Sequence, residues 1–108
     1  MKEGFAPFDI ATLLKDEESV VDFLADMFAS GDTALIAHAI GIAARAKGMT
    51  QIAGETGLAR EALYRSFSED GNPSLKSTLA VLKSLGFQLT VQLTDNQTAD
   101  PATHEAAE

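Results

Sequence analysis

The apolar residues of this chain recur at helical spacing over residues 20–85 and at strand spacing only over 87–93. That pattern restricts the fold to helices packed on helices, with one short strand left over. Capping residues delimit the helical stretches. Asp16 is positioned to cap a helix whose first turn holds Glu17 and Glu18, charges that suit the positive end of a helix. Its apolar stripe is Val20, Val21, Leu24, Met27 and Phe28. Gly31 ends that helix, and Asp32 caps a second one running to Lys47 with Gly48 as its stop. Leu35, Ile36, Ala39, Ile40 and Ala43 form its apolar face, and the alanines let neighbours approach closely. Two short helices are expected at about 50–56 and 60–67, separated by Gly57-Leu58-Ala59. After the Gly71-Asn72-Pro73 loop, Ser74 caps a last helix with Leu75, Leu79, Leu82 and Leu85 on one side and Gly86 as its close. Upstream, Asp9 can cap a short turn through Leu13 and Leu14.

Length and composition exclude several classes. A chain of 108 residues can bury one core. With no cysteine there is neither a disulfide scaffold nor a thiolate metal site. Residues 1–12 lack the apolar stretch of a signal peptide. The longest apolar run, 34–44, contains His38 and Gly41 and falls far short of the ~20 residues of a membrane span. The expectation is a soluble, cytoplasmic protein that does not engage a membrane. Catalytic groups are equally sparse. His38 lies on an alanine-rich helix, where it reads as a surface or packing residue, and His104 lies near the C-terminus. No phosphate-cradling glycine loop is present, and Asp16-Glu17-Glu18 is explained by capping and dipole compensation. No enzyme, cofactor, metal or small-molecule substrate is expected.

The segment 49–68 has the pattern of a helix-turn-helix. Ala53 stands where two helices cross and only a small side chain fits. Gly57 stands in the turn, where a left-handed backbone is needed. Ile52, Leu58 and Leu63 fill the wedge between the helices, and Thr50 can accept a backbone N–H at the start of the first. Two positions depart from the usual pattern: Ala59 replaces a polar cap, and Ser66 replaces an apolar residue whose packing Phe67 can supply. In such a motif the second helix enters the major groove and its outward residues meet base edges. Those residues are Ala59, Arg60, Glu61, Tyr64 and Arg65. Arg60 can bond guanine with two hydrogen bonds and Glu61 can accept from cytosine. Arg65 can reach a base or a phosphate, and Tyr64 a sugar-phosphate or a thymine methyl. Thr50 and Gln51 are positioned to touch a phosphate. The same residues also fit plainer roles, Arg60 with Glu61 as a solvated charged face and Tyr64 as half-buried core.

The strand pattern is Phe87, Leu89, Val91 and Leu93 alternating with Gln88, Thr90 and Gln92. One strand cannot satisfy its own backbone hydrogen bonds. Antiparallel pairing with the same strand of a second copy is the economical solution, with Phe87, Leu89, Val91 and Leu93 as the dimerisation residues. Extended chain lying against the helices is the other. The expected fold is therefore all-α: a small helical bundle with a central helix-turn-helix and one C-terminal β-strand, paired across a homodimer. Residues 1–93 form a single domain, with an acidic helical part at 1–34, a DNA-binding core at 35–86 and the dimerisation strand at 87–93. Residues 94–108 read as a disordered acidic tail.

Several of these residues also carry a family likeness. From Phe8-Asp9 to Val91 the chain resembles the helix-turn-helix antidote proteins of toxin–antitoxin addiction modules, the HigA-like, Xre/Cro-type branch with a lambda-repressor-like DNA-binding domain. The resemblance rests on Ala44-Arg45-Ala46-Lys47-Gly48-Met49-Thr50, on Gly57-Leu58-Ala59-Arg60-Glu61-Ala62-Leu63-Tyr64-Arg65 and on Gly71-Asn72-Pro73. Leu79, Leu82, Leu85 and Gly86-Phe87-Gln88-Leu89 complete it. It implies a small antitoxin that binds a RelE/ParE-like toxin, a basic protein, and represses its own operon as a dimer on double-stranded DNA.

A net charge of −8 argues against a phosphate-bearing partner until it is mapped along the chain. Residues 1–34 hold 2 basic and 8 acidic residues, a net of −6, and 94–108 hold 4 acidic and no basic ones. Residues 35–93 hold 6 basic and 4 acidic residues, a net of +2. The balance leaves DNA binding open. A stand-alone phage-type regulator and an acidic interaction module without DNA binding are the competing readings.

Overall fold

The computed structural model describes residues 16–94, whose regular structure is five helices. Helix α1 spans Glu17–Ala29, α2 Thr33–Lys47, α3 Met49–Thr56, α4 Arg60–Ser66 and α5 Leu75–Leu85. Side chains cap the start of three of them. Asp16 accepts from the Ser19 N–H at 2.8 Å, Asp32 from the Ala34 and Leu35 N–H groups at 3.0 and 3.2 Å, and Ser74 from the Ser77 N–H at 2.9 Å. Each satisfies donors that the first turn of a helix leaves unpaired. The bond from Ser19 also holds the Asp16 carboxyl below its ordinary value.

Helix α5 ends in a double closure. Gly86 adopts φ +94°, its N–H donates to the Lys83 carbonyl at 2.9 Å, and the Phe87 N–H donates to the Leu82 carbonyl at 2.8 Å. The reversal carries Phe87 back onto the core, against which it is half-buried.

Helix α2 is the centre of the bundle and packs against all four others. Its inner side is small: Ala37, Ala39, Ala43 and Ala44 are buried together with Ile40. The largest fully buried side chains, Phe67, Ile40, Ile52, Leu63 and Val81, come from α2, α3, α4 and its end, and α5. Each stabilises the fold by about 1.5–3 kcal/mol relative to leaving it in water.

Several apolar residues lie elsewhere than their spacing indicates. Val21 and Leu35 are exposed, while Phe23 and Ala37 turn inward. In α5, Leu75 and Leu79 are exposed and Val81 is fully buried. The reason is that α5 packs on both α2 and α3. Facing two neighbours requires a side centred on Val81, Leu82 and Leu85 rather than a single row along the helix.

The strand expected at 87–93 does not form within one chain. Residues 87–94 leave α5 without regular structure, and the described residues offer no second strand for them to pair with. The turn after Asp9 and the tail beyond Thr94 lie outside the described residues, as does His104. Among the described residues no helix is long and apolar enough to cross a membrane, and no group of His, Cys, Asp or Glu is placed to hold a metal ion. His38 is half-buried on α2.

Candidate nucleic-acid interface

Residues 49–66 fold into α3 and α4, joined by three residues. Gly57 holds the left-handed conformation at φ +79°, ψ 6°, and its N–H closes α3 on the Ala53 carbonyl at 2.9 Å. A side chain there would be strained whatever space surrounds it. Thr56 adds a second fastening. Its Oγ1 donates to the Ile52 carbonyl at 2.8 Å and accepts from the Leu58 N–H at 3.2 Å, so one hydroxyl bridges the last turn of α3 and the link. Gly57 is legible as the turn residue from sequence, and the part played by Thr56 was not expected. A threonine directly before the turn glycine was the signal for it. Ile52 and Leu63 are fully buried between the helices, with Ala53 and Leu58 half-buried beside them.

Helix α4 is amphipathic over its two turns. Leu63 and the following Phe67 face the core, each 1% exposed. Ala59, Arg60, Glu61, Tyr64 and Arg65 are all exposed on the other side. Ala59 begins the helix without a side-chain cap, as its residue type implies. The Arg60 guanidinium lies 5.8 Å from the centroid of the Tyr64 ring, one turn along. At an exposed site such a cation–π contact is worth about 0.5–1 kcal/mol. It holds the arginine along the outer face of the helix. Tyr64 is 42% exposed, so its ring serves that outer face rather than the core.

Helix α3 begins one residue earlier than expected, at Met49 after Gly48. Thr50 therefore sits inside the first turn and does not cap it; no side chain caps this end. Thr50 and Gln51 are both exposed. Gln51 is not idle, since its Nε2 donates to Glu55 Oε2 at 3.0 Å.

Glu55 is the hub of a network that its sequence surroundings do not indicate. Its Oε1 accepts from Ser84 Oγ at 2.5 Å and pairs with Lys47 Nζ at 3.3 Å, while Lys47 also donates to the Ser84 carbonyl. The ends of α2, α3 and α5 are thereby tied together. The Ser84 hydroxyl, the Gln51 amide and the Lys47 ammonium together pull the Glu55 carboxyl down from 4.5 to about 2.

Charge is divided along the molecule. Residues 16–34 hold six acidic side chains and no basic one, whereas 35–93 hold six basic and four acidic. The four expected dimerisation residues divide too. Phe87 packs on its own chain's core, while Leu89, Val91 and Leu93 are 41%, 95% and 81% exposed.

These features define a small helical-bundle protein with one short cationic helix presented to solvent. Its family is given by comparison with known proteins. The family model described as "Probable addiction module antidote protein" matches residues 4–93, and the chain belongs to that family. It is also 38% identical over 92 residues to a Haemophilus influenzae Rd protein described as "Uncharacterized protein", covering 85% of this chain and 95% of that one. No solved structure matches the chain. The family is one of antidotes rather than a known enzyme family, and an antidote of an addiction module has a toxin as its partner.

Proposed function

We propose that the chain is the antitoxin of a type II toxin–antitoxin module, in the HigA-like, Xre/Cro-type branch. In this reading it neutralises a RelE/ParE-like toxin by direct binding in the cytoplasm and represses its own operon as a dimeric, sequence-specific DNA-binding protein. The observation that carries the DNA-binding half is α4 itself. Arg60, Glu61, Tyr64 and Arg65 are exposed on a helix whose other side is anchored by Leu63 and Phe67, after a left-handed Gly57 turn. This is the arrangement a helix-turn-helix needs to present its second helix to the major groove.

Each residue then has a role. Arg60 reads guanine and Glu61 accepts from cytosine, while Tyr64 steadies Arg60 and meets the sugar-phosphate or a thymine methyl. Arg65 reaches a base or a phosphate. Thr50 and Gln51 meet a phosphate at the uncapped start of α3. Dimerisation is assigned to Leu89, Val91 and Leu93, paired with the same segment of a second copy.

The test is a fluorescence-anisotropy titration of the full chain with its own upstream DNA and with a scrambled duplex of equal length. The proposal expects a preference of at least ~10³-fold for the upstream sequence at physiological salt. Equal binding to both duplexes, or to neither, overturns it. The acidic segment 16–34 favours the second reading, a protein-interaction module without DNA binding, which is the outcome in which neither duplex binds.

A further inference from the structure

Helix α1 carries an apolar stripe and an acidic ridge side by side on its outer surface. Val21, Ala25 and Ala29 recur every fourth residue and are all exposed. Glu18, Asp22 and Asp26 recur at the same interval beside them and are also exposed. The stripe forms one wall of an open groove of about 440 Å³ between α1 and the segment after α5, lined by Val21, Ala25, Phe28, Leu82, Phe87 and Leu89 among others.

The fold does not account for the ridge. Like charges four residues apart on a helix oppose each other. The positive end of α1 compensates charges in its first turn, which covers Glu18 but not Asp22 or Asp26. Among the described residues none of the three is in an ion pair; the pair found there joins Lys47 and Glu55.

We propose that this groove and ridge are the surface that holds the toxin. Its occupant is a basic polypeptide that seats apolar side chains in the groove and pairs its lysines or arginines with Glu18, Asp22 and Asp26. The inference rests on the antitoxin reading and adds to it the neutralising surface. Charge selects the occupant. Residues 16–34 carry −6 while 35–93 carry +2, so a basic protein is drawn to this end and DNA to the other. A second copy would bring its own acidic ridge to the same surface and be repelled. Of the residues assigned to dimerisation Leu89 lines the groove, whereas Val91 and Leu93 do not and stay available for pairing between copies.

The experiment co-expresses the full chain with the product of the adjacent reading frame and measures the complex by affinity capture and titration. Two variants are compared with the unaltered chain: the double reversal Asp22→Lys with Asp26→Lys, and Ala25→Arg, which obstructs the groove. Both are expected to weaken the complex at least ~10-fold, with a smaller salt dependence for the charge reversal, while helicity and operator binding stay as in the unaltered chain. Arg60→Ala is expected to do the reverse, losing operator and keeping toxin. Unchanged toxin affinity in both groove variants overturns this surface but leaves the antitoxin reading standing. If Ala25→Arg instead turns a dimer into a monomer by light scattering, the groove belongs to a second copy and the proposal fails. No complex with the unaltered chain overturns the surface and the antitoxin reading together.

Discussion

Gly41, in the middle of α2, lies directly against the backbone carbonyl of Phe67 at the end of α4, so that a Cβ on Gly41 would overlap that oxygen. Glycine inside a helix is about 1 kcal/mol less favourable than alanine. Here that penalty is offset by close approach, which seats the end of α4, with its buried Phe67, directly on α2. Gly41→Ala should therefore destabilise the chain, against its helix propensity, by about 1–3 kcal/mol through overpacking against a backbone that cannot move aside cheaply. Urea unfolding followed by circular dichroism measures it. An alanine variant as stable as the parent would mean that the approach is slack.

Thr56→Val keeps shape and branching but removes the hydroxyl that joins Ile52 and Leu58. The expected loss is about 1 kcal/mol or somewhat more, because the Leu58 N–H is left without its acceptor in a part-buried link. The same unfolding measurement checks it, and operator affinity at low temperature, where the variant is fully folded, should fall only slightly. A midpoint unmoved from that of the unaltered chain would show that the hydroxyl carries nothing.

The Glu55 network makes the fold acid-sensitive in a defined window. Its carboxyl titrates at about 2 in the folded chain and at the ordinary value of 4.5 when unfolded. A depressed folded value contributes stability that is fully present above 4.5 and is lost as pH falls toward 2. Asp16 acts in the same direction from its own ordinary value of 3.8. Glu55→Gln should lower the melting temperature at pH 7 and flatten its decline between pH 5 and pH 2 (roughly the span over which such a carboxylate is titrated). Parallel pH profiles for the variant and the unaltered chain would remove Glu55 from the account.

For DNA, Arg60→Ala should weaken operator binding by about 1–3 kcal/mol and relax preference at one base pair. Tyr64→Phe keeps the ring under Arg60 and should retain that preference, whereas Tyr64→Ala should lose part of it. Binding to a set of single-base operator variants reads all three. If Arg60→Ala leaves both affinity and preference intact, Arg60 belongs to the solvated face.

The position of Phe87 changes how dimerisation should be probed. Deleting 87–93 would strip a side chain from the core. Val91→Asp with Leu93→Asp alters only residues that are 95% and 81% exposed. That pair should leave helicity intact and convert a dimer to a monomer by light scattering, with weaker operator binding as a result. A variant that remains dimeric would exclude this segment as the interface.

What was legible in the sequence was local. Asp16, Asp32 and Ser74 cap helices through bonds that span two or three residues, and Gly57 and Gly86 stop them through their own backbone angles. Arg60 and Arg65 could be placed outward because Leu63 and Phe67 take the other side, while Tyr64 fitted either side until its exposure decided it. What was not legible depended on distant neighbours. Val21, Leu35 and Leu79 look like core residues until the packing of α1, α2 and α5 determines which side is inward. Glu55 meets Lys47 and Ser84 from eight and 29 residues away, and nothing in its own surroundings marks it as a hub. Gly41 is explained by a carbonyl on another helix.

Helix α1 is held chiefly through α2, whereas α2, α3, α4 and α5 also pack on one another. An opening confined to the contact between α1 and α2 frees the acidic helix and leaves α4 seated on α2 and α3. A protease that captures that local opening would cut the acidic helix first, while α3 and α4 persist until the bundle unfolds as a whole. The two ends of the molecule therefore have separate lifetimes, the shorter set by the contact of α1 with α2.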